Sequence, residues 1–293
     1  MEFKKEFQDP KFWLALCPEL TLTNESILEK LNHSKETPVA QAESNEAWEQ
    51  CKELINEDGY FVYDSFFSPE LINRLSDCFD RLAAAEILPA FCFVYDEFWE
   101  LLIHLQPLFS DLIGEHALLP AVWAWFVNFD NQTGFSPHRD QVRETSVDDE
   151  DHLDYLTIWI PLTDLDHLSS CICVLPASLD PDYEEGTSRV TVENLQDVRC
   201  LQASKGSVFC WTVCLAHWGT KQASQGTPRK SVGFFVQRSE AECFVPPPLD
   251  FCQPFPLDQR LSVIGQQIID YSRDGDEDLL NQAAALVKLG SKE

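Results

Sequence analysis

The chain has 293 residues, of which 44% are hydrophobic and 12% aromatic, and its formal net charge is −28. This composition argues against a disordered chain, and the length is sufficient for one large domain with its own core. The negative charge argues against nucleic acid and anionic membrane surfaces as partners, because both would be repelled at long range. No apolar run approaches the roughly 20 residues that span a bilayer, so we expect no membrane segment.

The eleven cysteines are scattered and lie mostly in apolar strings such as CICVL and FCWTVCLAHW. No CxxC pair occurs among them, so the sequence does not predict a zinc knuckle. The opening segment, MEFKKEFQDPKFW, lacks the continuous apolar core of a signal peptide. We therefore expect buried, reduced thiols and a cytoplasmic protein.

Helical patterns come first along the chain. Residues 1–45 are expected to form a peripheral extension. EAWEQCKELINEDG has helical apolar spacing and ends in glycine, whereas YFVYDSFF is rich in strand-forming residues. The next helix begins with Ser68 as N-cap and Pro69 at its first position, and a further helical stretch is expected over 96–116.

From Pro120 onward the pattern changes to short strands separated by turns. The predicted strands lie in AVWAWFVNFD, YLTIWIPLTD, CICVLP, RCLQA, GSVFCWTVCLAHWG and RKSVGFFVQR. Such a run without intervening helices predicts an antiparallel sandwich or barrel. Residues 241–293 are first proline-rich and then helical, and we expect them to pack on the same domain.

The segment GFSPHRDQ places two metal-binding side chains, His138 and Asp140, one residue apart. Successive side chains of an extended chain point to opposite faces, so both fall on one side and Arg139 points away. An imidazole and a carboxylate are two of the three ligands that hold non-haem iron(II) in a facial triad. The pair alone does not decide the matter, because a polar turn beside Pro137 explains it equally well.

His217 is the candidate third ligand, near the end of the strand in KGSVFCWTVCLAHWGTK. A single histidine on an apolar face is more often a satisfied core residue, so its position alone is not decisive. The other histidines fit less well, since they lie in helical, linker, acidic or polar connecting segments: His33, His104, His116, His152 and His167.

A buried arginine strengthens the case for a metal centre. TPRKSVGFF places Arg229 and Ser231 on one face of the following strand, and Gly233 leaves room on that face. Burying an arginine is costly unless a planar anion pairs with it, and a carboxylate is the natural partner. Lys230 faces the other side and is expected to be solvated. The order His-x-Asp, His, Arg-x-Ser is typical of iron(II)/2-oxoglutarate dioxygenases.

Over roughly residues 46–240 the chain resembles the phytanoyl-CoA dioxygenase (PhyH-like) family. INEDGYFVYDSFFSPELINRL is similar to that family's opening helix–strand–helix, and GFSPHRD to its metal-binding strand. LTIWIPLTDLDHLSSCICVLPASLD resembles its strand-and-turn segment, and GSVFCWTVCLAHWG its distal-histidine strand. The resemblance implies a mainly β fold with flanking helices, built on a double-stranded β-helix (jelly roll, cupin-like) core.

The resemblance also implies a reaction and the residues that carry it. The implied iron(II) ligands are His138, Asp140 and His217. The implied residues around 2-oxoglutarate are Arg229, Ser231, Trp159 and Thr157. The implied reaction uses O2 and 2-oxoglutarate to oxidise an unactivated C–H bond of a small-molecule metabolite, and it releases succinate and CO2. Hydroxylation is the default outcome, and desaturation, oxidative cyclisation and epimerisation use the same centre.

Two segments depart from the family pattern. His217 is followed by Trp218-Gly219 instead of Gly-Ser, and Pro-Ala-Ser-Leu at 176–179 replaces Pro-Gly-Ser-His. These departures bear on substrate binding and leave the metal ligands unchanged. The candidate substrate-binding residues are Asn128, Arg143 and Trp125. We expect the loop 141–154 to close over the site, and we favour a substrate with one carboxylate for its arginine.

Three alternatives remain open. The first is a non-catalytic jelly-roll binding protein, and the second is a zinc or manganese cupin-type enzyme, since hydrolytic zinc sites use the same ligand types. The third is a hydroxylase of a partner chain, for which the terminal helices would supply an interface or a dimer contact. The sequence does not define the substrate, nor whether the protein is a monomer or a homodimer.

Overall fold

Two antiparallel sheets and a layer of helices make up the fold. The computed structural model describes residues 5–33, 45–129, 135–142, 152–184, 190–242, 248–272 and 276–290. The strands are β1 (Tyr60–Tyr63), β2 (His116–Val127), β3 (Tyr155–Pro161), β4 (Ile172–Leu175), β5 (Arg199–Leu201), β6 (Val208–Thr212), β7 (Ala216–Gly219) and β8 (Arg229–Arg238). The helices are α1 (Pro10–Leu16), α2 (Ile27–His33), α3 (Asn45–Asp58), α4 (Pro69–Ala84), α5 (Asp96–His104), α6 (Gln106–Ile113), α7 (Leu257–Tyr271) and α8 (Glu277–Val287).

The strand order is that of a double-stranded β-helix. The large sheet runs β1-β6-β3-β8-β2 and the small sheet runs β5-β4-β7. From β3 to β8 the chain therefore passes repeatedly between the two sheets. His138 and His217 exchange backbone hydrogen bonds of 3.1 and 2.9 Å, which extends the small sheet beyond β7. The predicted jelly-roll core with flanking helices is confirmed, with a large helical share.

The large sheet is covered on both faces, and this explains why β8 is buried along almost its whole length. Alternate residues such as Ile158 and Phe234 pack against the helices. On the other face, Gly233 lies opposite Trp123 and Trp159, and a Cβ at Gly233 would approach the indole of Trp123 to 2.2 Å. The room that the glycine was predicted to leave is thus occupied by Trp123.

The prediction that Lys230 is solvated is wrong. Its side chain faces away from Arg229, as expected, but helix α4 covers that face of β8. The Lys230 ammonium pairs with Asp80 at 2.6 Å and donates to the Ser76 backbone oxygen at 3.1 Å. A strand pattern alone does not reveal a helix that covers the strand from far away in the sequence.

The described residues of the N-terminal extension pack against the helix layer. Trp13 is buried, its ring stacks on that of Phe91 with centroids 5.4 Å apart, and its indole donates to the Phe7 oxygen. Thr21 donates to the carboxylate of Glu97 from its backbone N–H and its hydroxyl. How the chain divides into domains stays a prediction.

A buried ion pair fixes helix α7 against the rest of the helix layer. Arg260 pairs with Asp96 at 2.6 Å and donates to the backbone oxygens of Phe255 and Val94. Farther along α7, Gly265 allows close approach to α8, since a Cβ there would lie 2.6 Å from the Ala283 oxygen. This packing determines where the C-terminal end of α7 lies.

The expectation of reduced thiols is wrong for one pair of cysteines. Cys173 and Cys200 lie directly opposite each other on β4 and β5, with their Cα atoms 4.2 Å apart, and form a disulfide. Seven other described cysteines are free and buried, as predicted, whereas Cys252 is free and exposed. No helix within the described ranges is long and apolar enough to cross a membrane. Cytoplasmic location stays a prediction.

Candidate metal centre

The three predicted ligands meet at one end of the small sheet. One ligand atom from each of His138, Asp140 and His217 lies within 4.8 Å of the others. The Asp140 Oδ1 atom is 3.8 Å from Nε2 of His138 and 3.7 Å from Nε2 of His217. The backbone pairing of the two histidines places their rings side by side, with centroids 4.3 Å apart. The arrangement can hold one metal ion.

Each histidine contacts a backbone oxygen through one of its two ring nitrogens. Nδ1 of His138 lies 2.9 Å from the Ser136 oxygen, and Nδ1 of His217 lies 3.0 Å from the Leu215 oxygen. A carbonyl oxygen only accepts hydrogen bonds, so Nδ1 carries the hydrogen in both rings. Nε2 is the nitrogen that faces Asp140, and in the neutral ring this atom has the lone pair that binds a metal.

The Asp140 carboxylate is held by two donors at its outer oxygen. Thr157 Oγ1 donates to Oδ2 at 2.8 Å and Trp211 Nε1 donates to the same oxygen at 3.3 Å. Oδ1 is left facing the two histidines. Thr157, which the family resemblance places beside the cosubstrate, is fully buried and contacts Asp140.

Arg139 points away from the centre, as predicted. Its guanidinium is buried, pairs with Asp180 at 2.7 Å and donates to the Cys214 oxygen at 2.8 Å. These contacts fix the backbone between the two ligands of the metal segment. Thus the alternation of side chains along the extended chain separates a structural ion pair from the metal ligands.

Arg229 is a buried cation with an incomplete set of partners. It is 4% exposed, donates one hydrogen bond of 3.1 Å to the Ser170 oxygen, and lies 5.6 Å from the ring centroid of Trp159. No carboxylate in the described part of the chain pairs with it, and burial lowers its pKa to about 10. Its Nε and the hydroxyl of Ser231 are buried without a partner within that part. An unpaired buried charge is costly, which favours an anionic ligand here.

The ligands and Arg229 border one open cavity of about 80 Å³. Of the other predicted residues, Trp159 and Trp125 line this cavity. Asn128 is half-buried just beyond β2 and is not among the lining residues. Arg143 lies outside the described residues. The structure thus brings Trp125 to the cavity but not Asn128, and the role of Arg143 stays a prediction.

The walls of the cavity contain residues that the sequence reasoning missed. They are Phe135, Ile172, Trp211, Trp218, Gly219 and Tyr271. Trp218 directly follows the ligand His217, and Trp211 lies six residues before His217, so the strand pattern could have indicated both. Tyr271 comes from α7, and no local pattern indicates it. Burial raises the pKa of Tyr271, and the charge of Asp140 contributes.

The chain matches no protein-family model and no curated protein, but solved structures share its fold. The non-heme α-ketoglutarate-dependent epimerase SnoN from nogalamycin biosynthesis has a TM-score of 0.53 and 15% identity, covering 74% of this chain and 98% of its own. The non-heme monooxygenase ThoJ has a TM-score of 0.56 and 13% identity, covering 81% and 99%. AviO1 from Streptomyces viridochromogenes Tue57 has a TM-score of 0.52 and 17% identity, covering 69% of this chain and 99% of its own. Identities this low establish a common fold, and membership of the PhyH-like family stays a prediction.

Proposed function

We propose that the protein is an iron(II)- and 2-oxoglutarate-dependent dioxygenase that oxidises a C–H bond of a small molecule, releasing succinate and CO2. One observation carries this proposal. A His-Asp-His set with its donor atoms facing one point shares a cavity with a buried arginine that has no anionic partner in the described chain. The fold is consistent with the proposal, since an α-ketoglutarate-dependent carbocyclase, SnoK, also has it with a TM-score of 0.51.

The residues present fit both groups. Two neutral imidazoles and a carboxylate form the donor set that suits iron(II), and they leave coordination positions open. Iron(II) with bound 2-oxoglutarate would supply the oxidising power, with O2 as the oxidant. Arg229 would bind the far carboxylate of 2-oxoglutarate through its unpartnered Nε and its free N–H groups, with Ser231 as a further donor.

The chain's own contacts would keep this centre ordered. The Nδ1–H bonds of His138 and His217 hold the rings in place, and Thr157 holds the carboxylate of Asp140. With the carboxylate of Asp140 among the three ligands, we propose hydroxylation as the default outcome. Desaturation, cyclisation and epimerisation are chemically compatible with the same arrangement.

The rival functions differ in what they require of Arg229. A zinc or manganese enzyme would use the same three ligands but has no need of a buried, unpaired guanidinium beside them. A non-catalytic binding protein has no need of ordered Nε2 and Oδ1 donors. A protein hydroxylase would have the same centre and a different substrate, so only its substrate would distinguish it.

The experiment is an anaerobic titration of the protein with iron(II) and then 2-oxoglutarate, followed in the visible spectrum. We expect a weak charge-transfer band that requires both components and is absent in His217→Ala. His167→Ala changes an exposed histidine outside the cavity and should leave the band intact. The absence of a band in the wild type, with tight binding of zinc or manganese instead, would contradict the proposal.

A further inference from the structure

A second cavity adjoins the metal centre and has no role in the proposed chemistry. It lies between β2 and helices α7 and α8 and has a volume of about 190 Å³. We call it the distal groove. Its lining residues include Leu88, Ala90, Ala124, Gln267, Ile268 and Leu279. Trp125 and Tyr271 line both the distal groove and the metal cavity. The two spaces therefore adjoin at these two rings, which pack edge to face with their centroids 5.6 Å apart.

The chemical character of the distal groove selects an uncharged occupant. None of its lining residues in the described chain is charged, although the whole protein has a net charge of −28. A carboxylate, a phosphate or an ammonium placed there would be desolvated without an ion partner, which is unfavourable. Apolar groups would be favoured, because the walls are mostly aliphatic and aromatic.

One buried polar atom indicates where a polar group of the occupant would bind. Gln267 lines the distal groove, is 6% exposed, and its Oε1 has no hydrogen-bond partner in the described chain. A buried acceptor without a donor is unfavourable, and a hydroxyl or amide N–H of a ligand would satisfy it. Tyr271 follows one helical turn later, about 6 Å along the axis. Helix α7 thus places a polar anchor one turn from the ring that borders the metal cavity.

We infer that the distal groove binds the non-reacting end of the substrate, and that this end is uncharged, elongated and mainly apolar, with a hydroxyl or amide donor for Gln267. Only the assignment of the reacting end depends on the proposed function. The binding of such a molecule in the groove does not require a metal, so the two ideas can fail separately.

The first test uses the metal-free protein and the probe 1-octanol, with affinities from ligand-observed saturation-transfer NMR titrations. We expect 1-octanol to bind at least 10-fold more tightly than octanoate. Gln267→Leu should weaken 1-octanol about 5-fold, the effect of one net hydrogen bond. The same variant should leave unchanged the affinity of 1-methoxyheptane, which has no donor. Equal affinities for octanol and octanoate, or an equal effect of the variant on both uncharged probes, would overturn the inference.

A blocking variant tests the location. Leu279 lines the distal groove but is half-exposed, so Leu279→Trp fills the groove from its open side, and octanol binding should be lost. Leu195→Trp places the same ring at a residue that is 80% exposed and should have no effect. Thermal unfolding shows whether each variant folds. If Leu279→Trp does not fold, the octanol affinity of Gln267→Leu tests whether the probe binds in the distal groove. If the wild type is a dimer and Leu279→Trp is a monomer, the distal groove is a contact between two copies of the chain. That result would overturn the inference.

The second test orients the probe. With manganese(II) at the metal centre, and zinc as the diamagnetic control, the methyl end of octanol should relax faster than its CH2OH end. The opposite order would overturn the role of Gln267 as anchor. Failure of manganese to bind would count against the metal centre and leave the groove experiment intact.

Discussion

Two arginines are buried to a similar degree, but only one has a complete set of partners. Arg260 is 0% exposed, pairs with Asp96 at 2.6 Å, and donates to the backbone oxygens of Phe255, Val94 and Thr23. Arg229 is 4% exposed and donates to one backbone oxygen, with no carboxylate beside it in the described chain. Burial lowers the pKa of both, and only Arg260 has a nearby carboxylate, Asp96, that opposes this decrease substantially.

The difference shows that burial of a charge does not by itself indicate function. The Arg260–Asp96 pair, together with Lys30 at 3.2 Å from Asp96, is complete without any ligand and joins helices far apart in the sequence. Arg229 has donors to spare and faces a cavity that also contains three metal-binding side chains. The number of unsatisfied donors, more than the depth of burial, separates a ligand-binding arginine from a structural one.

The largest effect is expected when the complete pair is broken. Arg260→Met leaves the buried Asp96 carboxylate without its main partner, so the free energy of unfolding should fall by about 3–5 kcal/mol. Urea denaturation of the metal-free protein measures this change. Arg229→Met is the matched control, and its free energy of unfolding should be unchanged or higher, because it removes an unpaired buried charge. Equal losses in both variants would contradict the comparison.

A smaller but more specific effect is expected for ligand binding at Arg229. Arg229→Met should weaken 2-oxoglutarate by about 100-fold, corresponding to about 3 kcal/mol from two charge-assisted hydrogen bonds. Arg229→Lys keeps the charge and loses the planar fork, so its affinity should lie between those of the wild type and the methionine variant. A 2-oxoglutarate titration of the iron-loaded protein measures all three affinities. Wild-type affinity in Arg229→Met would show that another group binds the far carboxylate.

The parts of this site that the sequence predicts are those encoded by local spacing. His138 and Asp140 lie on one side of an extended segment because side chains alternate along it, and the same rule separates Arg229 from Lys230. The strand run after Pro120 similarly predicts the β core. These features need only local patterns, and the structure agrees with each except in one boundary: β2 begins at His116, within the predicted helical stretch and before Pro120.

The parts that were missed depend on contacts between distant segments. Tyr271 and Gln267 reach the two cavities because Arg260 fixes α7 against Asp96, which lies far earlier in the chain. Lys230 is buried because α4 brings Asp80 to it, and Cys173 meets Cys200 because β4 and β5 pair across a separation of 27 residues. No short window of sequence contains both partners of any of these contacts.

The smallest effect concerns Asp140. Like Arg229, and unlike Arg260 and Asp96, it has no complete set of charged partners within the described chain. Asp96 is paired with cations of the protein itself, whereas the Oδ2 of Asp140 accepts from the neutral donors Thr157 and Trp211 and its Oδ1 stays available for a metal. Thr157→Val removes the shorter of those bonds and loosens the carboxylate, so metal affinity should fall about 10-fold, the lower end for a partner that orients a ligand.

Competition with a chelator for manganese(II) measures this affinity. Thr212→Val is the matched control, since it removes a buried threonine hydroxyl that contacts Tyr183 at 2.8 Å and no ligand. Metal affinity in the control should equal that of the wild type. The effect of Thr157→Val is smaller than that of Arg229→Met because Trp211 still holds the carboxylate at 3.3 Å. An equal loss in both threonine variants would mean that the metal site responds to core packing, and the orienting role of Thr157 would be wrong.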